Sequence, residues 1–164
     1  MKTKLNIVFF AILALVVLSA CVSAEERAAR AAEQAAKVKA GLAEKRFSIN
    51  VDRMYPMKGG SKSVSFGYGV EVRNDSLISY LPYFGRAYDI PYGGGKGLNF
   101  SVRIGSYRDT PGKNGLHVID IEVTNTEDTY FYSIKVYDNG SSSIDVQSRN
   151  REHISYTGQM DFTK

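Results

Sequence analysis

The fold is decided by residues 129–146, which read TYFYSIKVYDNGSSSIDV. Large apolar side chains occupy every second position from Tyr130 to Val136. Such alternation is typical of a β-strand with one face on a core and the other face toward water. Asn139-Gly140 then indicates a hairpin, because this pair accepts the positive φ of a type I′ turn. The alternation resumes at Ile144, so the stretch predicts two paired antiparallel strands.

The same period of two recurs along the chain from Phe47 onward. The alternating runs cover residues 47–51, 64–72, 77–81, 98–104, 119–123, 130–136, 144–146 and 154–162. Asn74-Asp75 predicts a tight turn between the second and third runs. The pattern therefore predicts about eight strands with short polar connections and no helix between them.

This all-β pattern predicts a single antiparallel up-and-down barrel over residues 47–164. A twisted meander of eight strands leaves two unpaired edges unless it closes. Gly67 and Gly69 lie on the small-residue face of the longest predicted strand, where they would permit sharp coiling. A two-sheet β-sandwich is the alternative, which periodicity alone does not exclude.

A barrel of this size is either filled by its own side chains or holds one small ligand. The face predicted to point inward is rich in aromatic residues. They are Phe66, Tyr68, Phe100, Tyr130, Tyr132 and Tyr156.

Residues 1–20 predict a secretory signal peptide. Lys2 and Lys4 precede a mainly apolar run, Leu5 to Val17, which would span about 20 Å as a helix. That is too short for a bilayer core of roughly 30 Å. The run ends in Leu18-Ser19-Ala20-Cys21, which resembles the processing box of bacterial lipoproteins. The resemblance implies cleavage between Ala20 and Cys21, a diacylglycerol on the Cys21 sulfur, and a further acyl chain, such as palmitate, on the new amino terminus.

Cys21 is the only cysteine of the chain. It therefore cannot form an internal disulfide, and a plain signal peptide would leave it as a reactive thiol. Two or three acyl chains on one residue suffice for stable anchoring. The expected location is the cell envelope. Val22 stands where an aspartate commonly retains lipoproteins at the inner membrane, which favours the outer membrane and leaves open its periplasmic or surface face.

Residues 21–46 predict the lipidated cysteine followed by a helical spacer. Alanine, glutamate, lysine and arginine dominate this segment, and all of them favour helix. Apart from alanine, only Val38 and Leu42 could pack, so we expect the helix to lie outside the core. A partner-binding helix is the alternative.

The charge of the chain gives no reason to expect nucleic acid as a partner. Lysine and arginine number 21 against 17 acidic residues, a formal charge of +4. Two of the lysines belong to the predicted leader, and the remaining cations form no clustered basic footprint.

Two further stretches resemble a known family. They are Leu81 to Tyr88, reading LPYFGRAY, and Arg149-Asn150-Arg151 with the following Ile154 to Gly158. Together they resemble the domain of unknown function 4251, a family of Bacteroides-type exported proteins. The resemblance implies a lipocalin-like antiparallel barrel behind a lipoprotein or secretory leader. It implies no established activity, cofactor or catalytic residue.

The LPYFGRAY stretch interrupts the alternation. Pro82 ends a strand because it cannot donate to a ladder, and Gly85 allows a sharp bend. Tyr83, Phe84 and Tyr88 then offer aromatic surface beside the guanidinium of Arg86. The simpler interpretation is a barrel plug in which Arg86 bonds carbonyls or stacks on a ring. The alternative is a ligand mouth in which Arg86 holds an anionic group.

The remaining motifs predict no chemistry. The glycine-rich residues 91–97 lack the Lys-Ser/Thr step of a phosphate loop, and a strand rather than a helix follows them. His117 and His153 lack metal-ligand spacing. Asp120 and Glu122 share one strand face, where they are more simply solubilising charges. No serine lies in a nucleophile-elbow pattern. We therefore expect no catalytic residue, no metal site, no cofactor and no enzymatic activity.

The function most consistent with these features is a membrane-tethered module that binds a small amphipathic or lipid-like ligand. The alternative is a structural or interaction protein that docks on an envelope partner through loops such as 91–97 or 109–115. An enzyme is the third and weakest hypothesis, because no catalytic constellation assembles by spacing.

Overall fold

The computed structural model describes residues 24–88 and 97–161. The predicted signal peptide with Cys21, and most of the glycine-rich segment 91–97, lie outside these residues. Within them, no helix has both the length and the apolar character that a membrane crossing requires.

Nine strands of the described ranges form one antiparallel sheet. They are β1 (Arg46–Pro56), β2 (Lys62–Ser63), β3 (Gly69–Arg73), β4 (Ser76–Leu81), β5 (Leu98–Pro111), β6 (Leu116–Thr124), β7 (Thr129–Tyr137), β8 (Ser141–Ser148) and β9 (Ile154–Asp161). From β3 to β9 each strand pairs with the next along the chain. β1 pairs with both β3 and β9, so the sheet closes into an eight-stranded barrel. The predicted barrel is confirmed, and the sandwich alternative is wrong.

The two predicted hairpin turns are present, and one has a different geometry. Arg73 pairs with Ser76 around a two-residue turn in which Asn74 has φ 57°. At the turn between β7 and β8, only Gly140 has positive φ, at 77°, and its N–H donates to the Tyr137 carbonyl over 2.8 Å. A type I′ turn needs positive φ at both central residues, so the predicted turn type is wrong although the hairpin is right.

The longest predicted strand, 64–72, is broken in the structure. Only β3 and the two-residue β2 are strands, and a turn at residues 66–67 lies between them, with Gly67 at φ +102°. Phe66, predicted to point inward, is 99% exposed. Apolar alternation recognised the strand character of this stretch but could not show that a turn at Gly67 interrupts the strand, which continues in the same direction along β1 on both sides of it.

The barrel interior is filled by side chains. Tyr130, Tyr132 and Tyr156 are fully buried among aliphatic residues from all eight barrel strands. The Tyr132 hydroxyl donates to Ser79 Oγ over 3.0 Å, and Ser79 Oγ donates to the Leu98 carbonyl over 2.7 Å. The Tyr156 hydroxyl donates to the Pro82 carbonyl over 2.7 Å. The polar ends of these two rings are therefore satisfied by the protein itself.

The predicted spacer helix, α1, covers residues 24–43, and its last turns belong to the core. Residues from Ala35 onward form one compact unit with the strands. Val38 is 0% and Leu42 2% exposed, and both belong to the core cluster. The expectation that the helix lies outside the core is therefore wrong for this part. Two apolar residues four apart share one helix face, and that face is sufficient to bury two side chains against the barrel.

Leu42→Ala tests whether this contact stabilises the barrel. Removing a buried leucine side chain should lower the free energy of unfolding by about 2–5 kcal/mol, measured by urea denaturation. Lys39→Ala is the control on the same helix, because its ion pair with Asp138 spans 3.8 Å between largely exposed side chains. That variant should lose less than about 1 kcal/mol. Equal effects of the two substitutions would contradict the packing role.

The buried tyrosines predict loss of stability at alkaline pH. Burial raises the pKa of Tyr132 and Tyr156 well above 10, and it raises the pKa of Tyr107 to about 12. A raised pKa means that the folded state holds its protons longer than the unfolded state. The stability from these groups is therefore complete below pH of about 10 and is lost as the pH rises further. Tyrosinate absorbance should follow the unfolding transition, and titration of all tyrosines in the folded protein would contradict this account.

Candidate functional site

The LPYFGRAY stretch leaves the barrel at the end of β4 and packs against the segment between β8 and β9. The Tyr88 N–H donates to the Asn150 carbonyl over 2.7 Å, and Ala87 forms a bridge with Arg151. The Glu152 N–H donates to the Arg86 carbonyl over 3.0 Å. The two stretches that carry the family resemblance are therefore neighbours in space, at the end of the barrel that we call the rim.

Tyr83 fixes the conformation of this stretch. Its hydroxyl lies 2.9 Å from the Arg86 carbonyl and 3.1 Å from the Glu152 carbonyl, so its one proton is shared between the two segments. Burial, together with the Glu152 charge, raises the pKa of Tyr83. The Arg151 guanidinium lies 5.6 Å from the ring centroid. A Cβ on Gly85 would lie 2.7 Å from the Tyr83 hydroxyl, so a larger residue at this position would displace the Tyr83 ring.

Carboxylates hold the other side of the rim in place. Asp128 is buried, and its two oxygens accept the N–H groups of Thr129 and Asn150 over 2.7 and 3.0 Å. Glu127 Oε2 lies 3.3 Å from an Arg151 guanidinium nitrogen. Arg151 therefore has a structural role, joining the β6–β7 turn to the stretch that carries Tyr83.

A cleft of about 340 Å³ opens on the rim, and we call it the rim cleft. It is lined by Lys58, Tyr83, Phe84, Gly85, Arg86 and Glu152. Three of the four residues predicted for a plug or ligand mouth thus line one cavity, and Tyr88 does not. Lys58 and Glu152 were missed, because they come from segments far away in the chain and only barrel closure brings them together.

The guanidinium of Arg86 is one of the charged groups that line the rim cleft. It is exposed, and it makes no hydrogen bond or ion pair with any residue in the described ranges. The plug interpretation has Arg86 bonding carbonyls or stacking on a ring, and no such contact of its guanidinium is present within residues 24–88 and 97–161. Glu152 Oε2 is occupied by the Arg86 backbone N–H over 3.0 Å. The Lys62 ammonium lies 3.5 Å from the centroid of the half-exposed Phe84 ring.

This arrangement suits an anion that carries an apolar part. A guanidinium presents a fixed fork of donors to a carboxylate or phosphate, and it is more weakly hydrated than an ammonium. Lys58 adds a second positive charge, and the Phe84 ring offers apolar surface next to it. The described residues place no group of three or more histidine, cysteine or acidic side chains where it could hold a metal ion.

The other residues considered from the sequence lie away from this cleft. His117 Nδ1 is 3.2 Å from Asp109 Oδ1, and His153 Nε2 is 3.4 Å from Asp145 Oδ1. Asp120 and Glu122 line a groove of about 280 Å³ on the outer wall of the barrel. Ala20 and Cys21 lie outside the described residues, so the predicted lipidation site stays a prediction.

The fold and the rim motif define a small closed β-barrel, and comparison with known proteins places it in a family. The model of the domain of unknown function 4251 (DUF4251) matches residues 29–160, so the chain belongs to that family. The match begins inside α1, which agrees with the packing of the end of that helix in the core. No curated protein sequence matches the chain.

Among solved structures, a DUF4251 family protein from Bacteroides eggerthii DSM 20697 is similar to this chain. The two share 12% sequence identity with a TM-score of 0.59, over 77% of this chain and 86% of the other. At this identity the likeness supports the barrel fold alone.

Tyr83→Phe tests whether the rim stretch depends on this hydroxyl. The substitution leaves the Arg86 and Glu152 carbonyls without their shared donor and should lower the free energy of unfolding by about 1–3 kcal/mol, measured in urea. Tyr88→Phe removes a hydroxyl from a ring that is 70% exposed and serves as the matched control, with almost no expected effect. Equal free energies of unfolding for Tyr83→Phe and the control would show that the Tyr83 hydroxyl does not stabilise the rim stretch.

Proposed function

We propose that the chain is a lipid-anchored protein of the cell envelope whose barrel binds, without catalysis, a small amphipathic molecule with an anionic group. The ligand lies in the rim cleft, with its anionic group on Arg86 and Lys58 and its apolar part against Phe84. The exposed Arg86 guanidinium has no partner in the part of the chain that the structure describes, and it lies beside an exposed aromatic ring; this is the observation that carries the proposal.

The location at the rim follows from the filled interior. A lumen site would need space where Tyr132 and Tyr156 now lie, and it would break their hydrogen bonds to Ser79 and Pro82. Breaking them would leave polar groups unpaired in the core, which is costly. The rim cleft requires no such rearrangement, since its lining already faces solvent.

The anchor completes the proposal. The sequence supplies a basic and apolar leader that ends directly before Cys21, and the compact unit that contains the barrel begins at Ala35. Acylation at Cys21 would hold the barrel at a membrane surface, where amphipathic molecules are concentrated. Val22 favours the outer membrane as that surface.

Arg86→Gln tests the rim cleft. The probe is laurate, with dodecanol as the uncharged analogue of the same chain length, titrated calorimetrically into residues 22–164, the chain without its leader and without the acyl acceptor Cys21. Losing one charge-assisted contact should weaken laurate binding roughly 10- to 100-fold and leave dodecanol unchanged. Arg108→Gln, another exposed arginine away from the cleft, is the control and should bind laurate as the native chain does. Absence of laurate binding to the native chain would refute the proposed ligand class.

Cys21→Ala tests the anchor. The variant should leave the membrane fraction and lose fatty-acid labelling, because the acyl acceptor is gone. The double variant Cys21→Ala with Ser23→Cys keeps one thiol two residues away and should also remain unlabelled. Labelling of either variant would show that acylation does not occur at this processing box.

A further inference from the structure

Exposed apolar side chains are concentrated at the rim. Eight large hydrophobic side chains are exposed among the described residues, and six of them lie at this end of the barrel. These six are Tyr55, Met57, Phe66, Tyr80, Phe84 and Tyr88. β1 and β4 both end here, because each runs antiparallel to β3 between them. We call segments 53–68 and 80–88, which carry all six, the rim patch.

Backbone hydrogen bonds and ring stacking hold the rim patch in one conformation. The Val64 N–H donates to the Asp52 carbonyl over 2.8 Å, and the Val51 N–H donates to the Tyr68 carbonyl over 2.9 Å. These bonds tie both ends of the turn that carries Phe66 to β1. The Tyr68 ring stacks on Tyr80 with centroids 4.9 Å apart. The almost fully exposed Phe66 ring therefore projects into solvent from a fixed turn.

The two segments of the rim patch carry charge of one sign, and Glu152 of the rim cleft lies beside them. These segments contain Arg53, Lys58, Lys62 and Arg86, and neither contains an aspartate or glutamate. The outer wall differs, since its groove carries Asp120, Glu122 and Asp145 around the exposed Phe131.

Aromatic rings projecting among lysine and arginine suit the boundary of an anionic bilayer. The rings enter the headgroup region there, and the cations meet lipid phosphates while their stems lie along apolar surface.

We propose that the rim patch docks on an anionic lipid surface, with Phe66 entering the interface and the four cations contacting headgroups. Docking brings the rim cleft to the lipid–water boundary, where an amphipathic ligand can pass from the bilayer to Arg86. The docking step goes beyond ligand binding in the cleft and does not depend on it. Only the transfer of ligand rests on the proposed function.

A tryptophan reporter tests docking, because the native chain contains no tryptophan. Phe66→Trp is introduced into the full chain, which is then purified from membranes. It is reconstituted into vesicles of phosphatidylcholine, with or without about 30% phosphatidylglycerol to supply anionic charge. We expect the emission of the introduced tryptophan to shift to the blue, and to be quenched by brominated lipid, only in the anionic vesicles. High salt should reverse both effects.

Phe131→Trp is the matched control, since it places the same reporter on the acidic outer wall at a ring of similar chemistry. Its emission should be the same in both vesicle types. Adding Arg53→Gln and Lys58→Gln to the Phe66→Trp chain should lower the ratio of docked to undocked protein by about 25-fold, because each cation contributes roughly fivefold near an anionic bilayer.

Three outcomes would overturn docking. The emission of the Phe66→Trp chain could be equal in both vesicle types, or the Phe131→Trp control could shift as strongly. A photoreactive residue at position 66 could also crosslink to a protein and not to lipid in intact cells, and this would assign the rim patch to a protein partner.

Laurate titration separates the two proposals. A blue shift of the Phe66→Trp chain without laurate binding leaves docking standing and removes the cleft ligand. Laurate binding without a blue shift does the reverse.

Discussion

The closure of the sheet between β1 and β9 is the constraint on which the rest of the structure depends. Paired residues run from Ser48–Asp161 to Pro56–Ile154, with an irregularity after Val51. A Cβ on Gly158 would lie 2.0 Å from the Asn50 carbonyl oxygen, and one on Gly69 would lie 2.3 Å from that of Ile49. β1 is therefore flanked by glycine on both neighbouring strands. Glycine at these two positions permits the close strand approach that a tightly curved barrel needs.

A small closed barrel leaves its interior to its own side chains, and this determines where a ligand can bind. Tyr132 and Tyr156 occupy the interior with their hydroxyls bonded to the protein. What closure creates instead is a rim where three distant segments of the chain meet. Lys58, Phe84 and Glu152 become neighbours only there. The polar network around Tyr83 keeps that meeting point rigid, so Arg86 is presented to solvent without a partner among the described residues.

The sequence could predict what depends on local pattern and could not predict what depends on closure. Alternating apolar residues identified the strands, and the turn at Asn74 followed from its tolerance of positive φ. The break at Gly67 was missed, because a glycine in an alternating run fits a coiled strand and a local interruption of the strand equally well. The burial of Val38 was missed because two apolar residues on a polar helix are too weak a signal without a surface to receive them. The LPYFGRAY stretch was recognised as a candidate site, but the exposure of Arg86 and its lack of a partner among the described residues could be seen only in three dimensions.

The most direct test of the account is a laurate titration of the isotope-labelled mature chain followed by backbone amide NMR. If the interior is filled and the site lies on the rim, the amide signals of Lys58, Phe84 and Arg86 should move, while those of Tyr132 and Tyr156 stay in place. Movement of the Tyr132 and Tyr156 signals, with the rim unaffected, would place the ligand inside the barrel and contradict the account.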